Sequence, residues 1–409
     1  MNIQEVLTLL CGIQDPWKIS NIELDQDEAT IELTVSYNKG ARFACPTCGG
    51  EVLYSVYDHA PERRWRHADL CAYKTIIVAK VPRIKCDKCG KVKVVEVPWA
   101  NLSSRFTILF ETIAINILLS NMNKSRTAQI LGISWDEIDA IEKRAVSRGL
   151  ERRKLSSIKH LGIDEKSFMK KHSYGTVLYD LDNSTVLDIV QGRKTESCIS
   201  VLKALPLQIK DSIQAVAMDM YDGFIKATKT VLPGVSIVHD KFHIVKHMNE
   251  AIDSIRRREN KLLSKQGIDL LKGTKFLLLK NVNKLNEDEL TTYERIKEQS
   301  ERVGKACSYK EILCNFWDMS NNLSAKSLFL KWYKSVIHSG IAPIIRVARM
   351  LHNRLEGVLN YFKYKITNAI AEGINSKIQL IKSNARGYRN FDNYRYSILF
   401  HCGGLQLYP

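Results

Sequence analysis

The sequence predicts a multidomain α+β protein: a cysteine-anchored N-terminal segment, a helical pair, then an α/β region followed by a long helical stretch. Three observations predict it. Two Cys-x-x-Cys pairs punctuate strand-like runs before residue 90. The apolar period turns helical from Arg105, and from His160 strand runs (HLGIDEKSF, YGTVLYDLD, STVLDIVQG) alternate with helical stretches. At 409 residues the chain exceeds what one compact core holds. Its net charge of +17 favours a polyanionic partner, nucleic acid being the simplest, although a Lys-rich proteome with a solvated basic surface gives the same balance. No run of eighteen apolar residues argues for a membrane span, and the N-terminus has no basic leader or small-residue cleavage site. A cytoplasmic protein is therefore expected, with its ten cysteines reduced.

The first element is a short amphipathic stretch followed by an alternating strand, ATIELTVSY. Next come the two matching knuckles, Cys45-x-x-Cys48 and Cys86-x-x-Cys89, each followed by Gly. Two thiolates three residues apart grip one Zn²⁺ from a tight turn, and two such turns complete a tetrahedral structural site. The residues between the knuckles exceed the usual ribbon gap, so a β-hairpin insertion is expected there. The competing readings are a coincidental pair of motifs or a redox pair. Cys71 and His67 fall inside the insertion and read as spare. Cys11, Cys198, Cys307, Cys314 and Cys402 lack ligand spacing.

After RFTILFETIAINILLSNM, the stretch SRTAQILGISWDEIDAIEKRA has the form of a helix-turn-helix. Gly132 makes the turn, and Ser134 with Glu137 forms a capping box that starts the second helix. Arg126 on the first helix, and Lys143, Arg144 and Arg148 on the second, are candidate phosphate contacts, extended by Arg152, Arg153 and Lys154. A plain helical hairpin is the alternative.

In the α/β region, pleating sends Leu161, Ile163 and Glu165 to one face and Gly162 and Asp164 to the other. Along QAVAMDM, Ala215, Ala217 and Asp219 share a face in the same manner. If the two strands are neighbours, their spacing of about 4.8 Å brings Asp164 and Asp219 together. Two such carboxylates repel unless a cation or proton joins them, and Mg²⁺ suits hard oxygen ligands. Glu372 lies on a later helix whose apolar stripe reads Ile366, Ile370, Ile374, Ile378 and Ile381. It falls off that stripe, beside Asn368, Asn375, Ser376 and Gln379. Three such carboxylates form a two-metal centre for phosphoryl transfer on a sheet of ribonuclease H type. Unrelated strand-end acids and a surface glutamate remain the competing reading of the pattern alone.

The two knuckles, GIDEKSFMKKHSYGTVLYDL, VQGRK, AMDMYDGF, LPGVSIVHDKFHIVKHMN, AEGINSKIQLIKSNARGYRNFDNYRYSILF and the closing HCGG resemble the DDE-type bacterial insertion-sequence transposases of the ISL-three family. The resemblance runs from the knuckles nearly to the last residue. It implies a catalytic triad of Asp164, Asp219 and Glu372 holding two Mg²⁺ or Mn²⁺ ions. Asp222 and Asp240, near the second strand and the one after it, read as supporting residues, and His243 resembles a family position lining the cleft, with a packed histidine as the alternative. Glu165, on the opposite strand face, reads as structural or as supporting the triad. It also implies a division into a zinc-binding segment at 1–100, a helix-turn-helix at 101–156, and a ribonuclease H-like core at 157–240 and 361–409. An all-helical insertion at 241–360 interrupts that core. Arg386, Arg389 and Arg395, among aromatics, suit phosphate contacts and base stacking. Such an enzyme would bind the terminal inverted repeats of its element, nick DNA with water, and join the 3′-hydroxyl to target DNA, as a homodimer. A non-cleaving DNA-binding regulator or another ribonuclease H-like nuclease would share these features.

Overall fold

The computed structural model describes residues 2–50, 52–169, 173–366 and 369–409. The chain divides into two units. One runs to Arg153 and also takes Leu405–Pro409; the other is Lys154–Gly404.

In the first unit, α1 (Ile3–Leu10) precedes eight strands: β1 (Trp17–Asp25), β2 (Thr30–Tyr37), β3 (Arg42–Ala44), β4 (Leu53–His59), β5 (Arg63–Arg66), β6 (Lys74–Ala79), β7 (Pro82–Lys85) and β8 (Val92–Val94). They form two sheets, ordered β1-β2-β6-β5 and β3-β4-β7-β8. The segment between the knuckles is thus more than the expected hairpin. Its outer strands, β4 and β7, build the knuckle sheet, while β5 and β6 complete the N-terminal one. Trp17, Trp65 and Trp99 join the core edge to face, with Trp99 5.0 Å from Trp17 and 5.7 Å from Trp65. Each such aromatic contact contributes about 1 kcal/mol beyond burial.

Three helices follow: α2 (Ile108–Asn121), α3 (Lys124–Leu131) and α4 (Trp135–Arg152). Gly132 ends α3 in the left-handed region, φ +63°, where it donates to Ala128 and Gln129 carbonyls. Ser134 and Glu137 cap α4 reciprocally. Lys124 reaches both Asp139 and Glu142 at 2.5 Å, tying α3 to α4. The last residues close on α4 as well. Arg148 donates to the Leu407 carbonyl at 2.8 Å and Arg152 to that of Tyr408 at 2.7 Å. Gly149 is required there, because a Cβ would lie 2.7 Å from that of Leu405.

The second unit opens with an antiparallel meander, β9 (His160–Met169), β10 (Ser173–Asp180) and β11 (Thr185–Gln191). After α5 (Thr195–Lys203) and α6 (Leu207–Ser212), β12 (Ala215–Met218) pairs parallel to β9. Beyond α7 (Asp222–Val231), β13 (Ser236–His239) pairs parallel to β12, giving the order β11-β10-β9-β12-β13. Leu161, Ile163, Leu178, Val216 and Met218 bury one face against Cys198, Val201, Leu202, Phe224 and Ala227 of α5 and α7. The apolar alternation of each strand is therefore spent on this face, leaving Gly162, Asp164 and Tyr179 on the other.

A long all-helical run follows: α8 (Lys241–Ser264), α9 (Lys275–Leu279), α10 (Glu287–Gln299), α11 (Glu301–Asn315), α12 (Asn322–Ile337), α13 (Ala342–Asn353) and α14 (Leu355–Tyr364). Its own core includes Ile244, Met248, Phe316, Phe329, Trp332 and Ile344. Buried Lys310 donates to the Leu278 and Lys280 carbonyls at 2.7 and 2.6 Å, satisfying the end of α9. The chain then returns to the sheet. Asn360 on α14 donates to the Ile237 carbonyl, and α15 (Ala369–Asn384) and α16 (Phe391–Cys402) follow. Among the described residues, no helix is long and apolar enough to cross a membrane.

Candidate functional site

Two sets of side chains draw attention, one in each unit. Cys45 and Cys48 follow β3, and Cys86 and Cys89 follow β7, in the same turn built twice. Gly49 donates to the Cys45 carbonyl and Gly90 to that of Cys86, both at 2.9 Å, with φ of +60° and +67°. The four sulfurs lie within 4.8 Å of one another, and among the described residues no other group of three or more His, Cys, Asp or Glu ligand atoms is so close. All ten cysteines are free thiols. Burial and the neighbouring thiols push Cys48 up to about 12, whereas the Cys89 amide, with the Tyr54 hydroxyl, pulls Cys86 down to about 6. Four sulfurs gathered this closely on two matching turns are consistent with a tetrahedral structural Zn²⁺ site. Cys71 is exposed, and buried His67 is engaged by the Thr107 hydroxyl at 3.0 Å, so neither joins it.

The second set lies where β12 ends beside β9, the inner strands of the second unit's sheet. β9 and β12 run parallel with Ile163 opposite Met218, so Asp164 on β9 is matched by Asp219, the residue immediately after β12. Asp164 is mostly buried, its side chain 14% exposed, while Asp219 is more open at 31%. Each carboxylate is held. Asp164 accepts from the Asn375 amide at 2.7 Å and from the Glu165 backbone at 2.8 Å, with Lys166 Nζ 3.6 Å away. Asp219 accepts from the Met220 backbone at 2.5 Å and faces His243 Nδ1 at 3.4 Å. His243 Nε2 in turn lies 4.0 Å from Asp240, whose side chain caps α8 through the Phe242 amide.

Glu372 is exposed near the start of α15, three residues before Asn375 and so on the same helical face. The buried stripe of α15 runs through Ala371, Ile374, Ile378 and Ile381. Ile370, expected on that stripe, is 38% exposed, because the small Ala371 takes the inward position instead. Asn368 lies outside the described residues. The three acids do not converge as the thiols do: their oxygens are not all within 4.8 Å. The donors just described hold Asp164 and Asp219 where they are. Glu165 points elsewhere, 3.7 Å from Arg193, and Asp222 pairs with Arg354 at 2.5 Å.

The basic residues separate into two classes. Arg126, Arg386 and Arg389 are exposed. The others are engaged within the fold. Lys143 pairs with Asp139 at 2.6 Å, and Arg144 with buried Glu111 at 2.6 Å. Arg148 holds the Leu407 carbonyl, and Arg395 grips Asp188 through two bonds of 2.7 and 3.0 Å. The aromatics around the tail are packed rather than presented: Phe391 and Tyr394 lie 5.3 and 5.4 Å from Phe168. Sequence reasoning missed Tyr179 and Lys166. Tyr179 reads as a strand residue, and its hydroxyl meets Asn375 only because α15 returns across β10.

Residues 161–398, more than half of the chain, match a transposase family of ISL3 type, and residues 41–89 match the zinc finger of IS204/IS1001/IS1096/IS1165 transposases. The transposase for insertion sequence element IS1001 of Bordetella parapertussis is 27% identical over 349 residues, covering 85% of each chain. The transposase for insertion sequence element IS1557 of Mycobacterium tuberculosis is 24% identical over 411 residues, covering 93% of this chain and 91% of its own.

Proposed function

The chain belongs to the ISL3 family of DDE transposases, and from that premise we propose that it binds the terminal inverted repeats of its own element, cuts there, and joins the 3′-hydroxyl ends to target DNA. The observation that carries this reading is the parallel register of β9 and β12, which sets Asp164 beside Asp219 at the strand-end edge where β12 stops. The hydrogen bond from Asn375 then ties the helix of Glu372 to that edge. Three antiparallel strands followed by two parallel ones, with Asp164 on the central strand and Asp219 just past the end of its neighbour, support a ribonuclease H-like core.

The donor set fits Mg²⁺ or Mn²⁺. Carboxylate oxygens are hard ligands of the kind these ions prefer. Asp164, Asp219 and Glu372 would hold two such ions. When bound, they would supply Lewis acidity and neutralise charge on the phosphoryl group in transfer. The chain's own residues do the remaining work. His243 orients Asp219, and Asp240 fixes the start of the helix that carries His243. Lys166 brings a positive charge to the same edge, where it offsets scissile phosphate.

In this reading Cys45, Cys48, Cys86 and Cys89 hold a structural zinc in the segment 1–100. The pair α3–α4 serves as a helix-turn-helix within 101–156, and the helices of 241–360 interrupt a core formed by 157–240 and 361–409. Arg126, Arg386 and Arg389 are the residues left to meet phosphate. Lys143, Arg144, Arg148 and Arg395 brace the surfaces that present them. A homodimer would hold both ends of the element. Incubating the purified protein with its flanking DNA and Mg²⁺ tests the reading, and cuts at the repeat ends followed by joined products are expected. Binding without cutting would favour the regulator, and cutting without joining another nuclease.

A further inference from the structure

We propose that Asn375, locked by Tyr179, is a positioning residue that sets the carboxylate of Asp164 and, through the same hydrogen bond, the reach of Glu372. The inference rests on the transposase reading of those acids.

The geometry is a chain of three groups from three elements. Asn375 Nδ2 donates to Asp164 Oδ2 at 2.7 Å, and Asn375 Oδ1 accepts from Tyr179 Oη at 2.5 Å. A carboxylate offers only acceptors, so the amide must turn its NH₂ to Asp164 and its oxygen to the phenol. Turned about, it would set oxygen against oxygen at Asp164 and lose that bond. Tyr179 is fully buried, with no solvent to replace Asn375 as its partner. Burial and the charge of Asp164 raise its pKa, so the phenol keeps its proton and remains a donor. The bond also spans the sheet and α15. Glu372 precedes Asn375 by three residues, about 4.5 Å along the axis and on the same face. Fixing Asn375 against β9 therefore fixes the phase and height of the helix that presents Glu372. One amide coordinates the placement of two acids that are 208 positions apart in the chain.

Removing such a support loosens metal ligands without removing them, and losses of about ten- to a hundredfold in metal affinity are typical. The test compares Asn375→Ala, Tyr179→Phe and Asp164→Ala with the parent protein. Mn²⁺ binding to the full chain is followed by electron paramagnetic resonance, and binding to inverted-repeat DNA is measured in parallel. The expected result is a Mn²⁺ midpoint raised about tenfold or more in Asn375→Ala and severalfold in Tyr179→Phe, with DNA binding unchanged. Tyr179→Phe keeps the ring and its packing, so a purely structural tyrosine leaves its midpoint at the parent value. Should Asn375→Ala fail to fold, Tyr179→Phe decides alone. Parent-like midpoints in the folded variants, with Asp164→Ala impaired, would overturn the role of Asn375 and spare the transposase reading. A parent-like midpoint in Asp164→Ala would overturn both.

Discussion

The four thiols and the three carboxylates are each assembled from distant chain segments, yet they are finished to different degrees. The thiols converge within 4.8 Å on two copies of one glycine-ended turn. The three carboxylates do not all come within that distance, and two of them are engaged by amides, a lysine and a histidine. The difference follows from charge. Protonated thiols tolerate close approach, so backbone turns alone can gather them, whereas carboxylates repel and must be held by donors until a cation replaces the repulsion. A structural centre can be closed by local turns. On the proposed reading, the carboxylates must stay ordered and still accessible.

The sharpest way to break this comparison is to remove the acids. Asp164→Ala, Asp219→Ala and Glu372→Ala should each lower Mg²⁺-dependent cleavage by about a thousandfold or more, with zinc content and repeat binding preserved. Full cleavage by any one of them would take that residue out of the site. Cys45→Ser should act oppositely: zinc is lost, the N-terminal segment loosens and repeat binding falls, because structural zinc contributes folding energy directly. Unaltered zinc in that variant, measured by metal analysis, would sink the four-cysteine site. Glu111→Ala tests whether the arginines of α4 are braces. It strands Arg144 at a cost of about 2 kcal/mol, which should lower the melting temperature of the first unit by roughly 5 °C. An unchanged melt would return Arg144 to the list of phosphate contacts.

The smallest effect is the share of His67 in the pH dependence of the first unit. Burial, helped by Arg66, lowers His67 from the usual 6.5 to about 4. The unfolded chain therefore takes up its proton first as pH falls, and stability is full above 6.5 and drains away between 6.5 and 4. Calorimetric melts across that window should decline less steeply in His67→Gln. Equal slopes would mean that His67 is not the group responsible.

Much of this was legible from periodicity. Leu161, Ile163, Val216 and Met218 declared which strand faces would be buried, and so which would carry Asp164 and Asp219. The knuckles and the Ser134 capping box are local patterns, and local patterns survive folding. What could not be read depends on long-range return. Tyr179 and Asn375 are 196 residues apart, and nothing in either neighbourhood points to the other. Arg144 and Arg148 read as a basic flank because their partners, Glu111 and the Leu407 carbonyl, lie 33 and 259 positions away. Alternation could announce strands between the knuckles but not that they would divide between two sheets.

Residues 405–409 give the first unit an unusual dependence. A fragment ended at Arg153 would leave the Arg148 and Arg152 guanidinium groups without their carbonyl partners and the Tyr408 contact with Asn116 unmade. The glycine face of α4 that accommodates Leu405 would open to water. A five-residue deletion at that end should therefore destabilise the first unit and, on the proposed reading, surface as a DNA-binding defect far in sequence from the helices concerned. Supplying those residues as a peptide, or grafting them behind Arg153, becomes the natural way to obtain the amino-terminal unit in isolation.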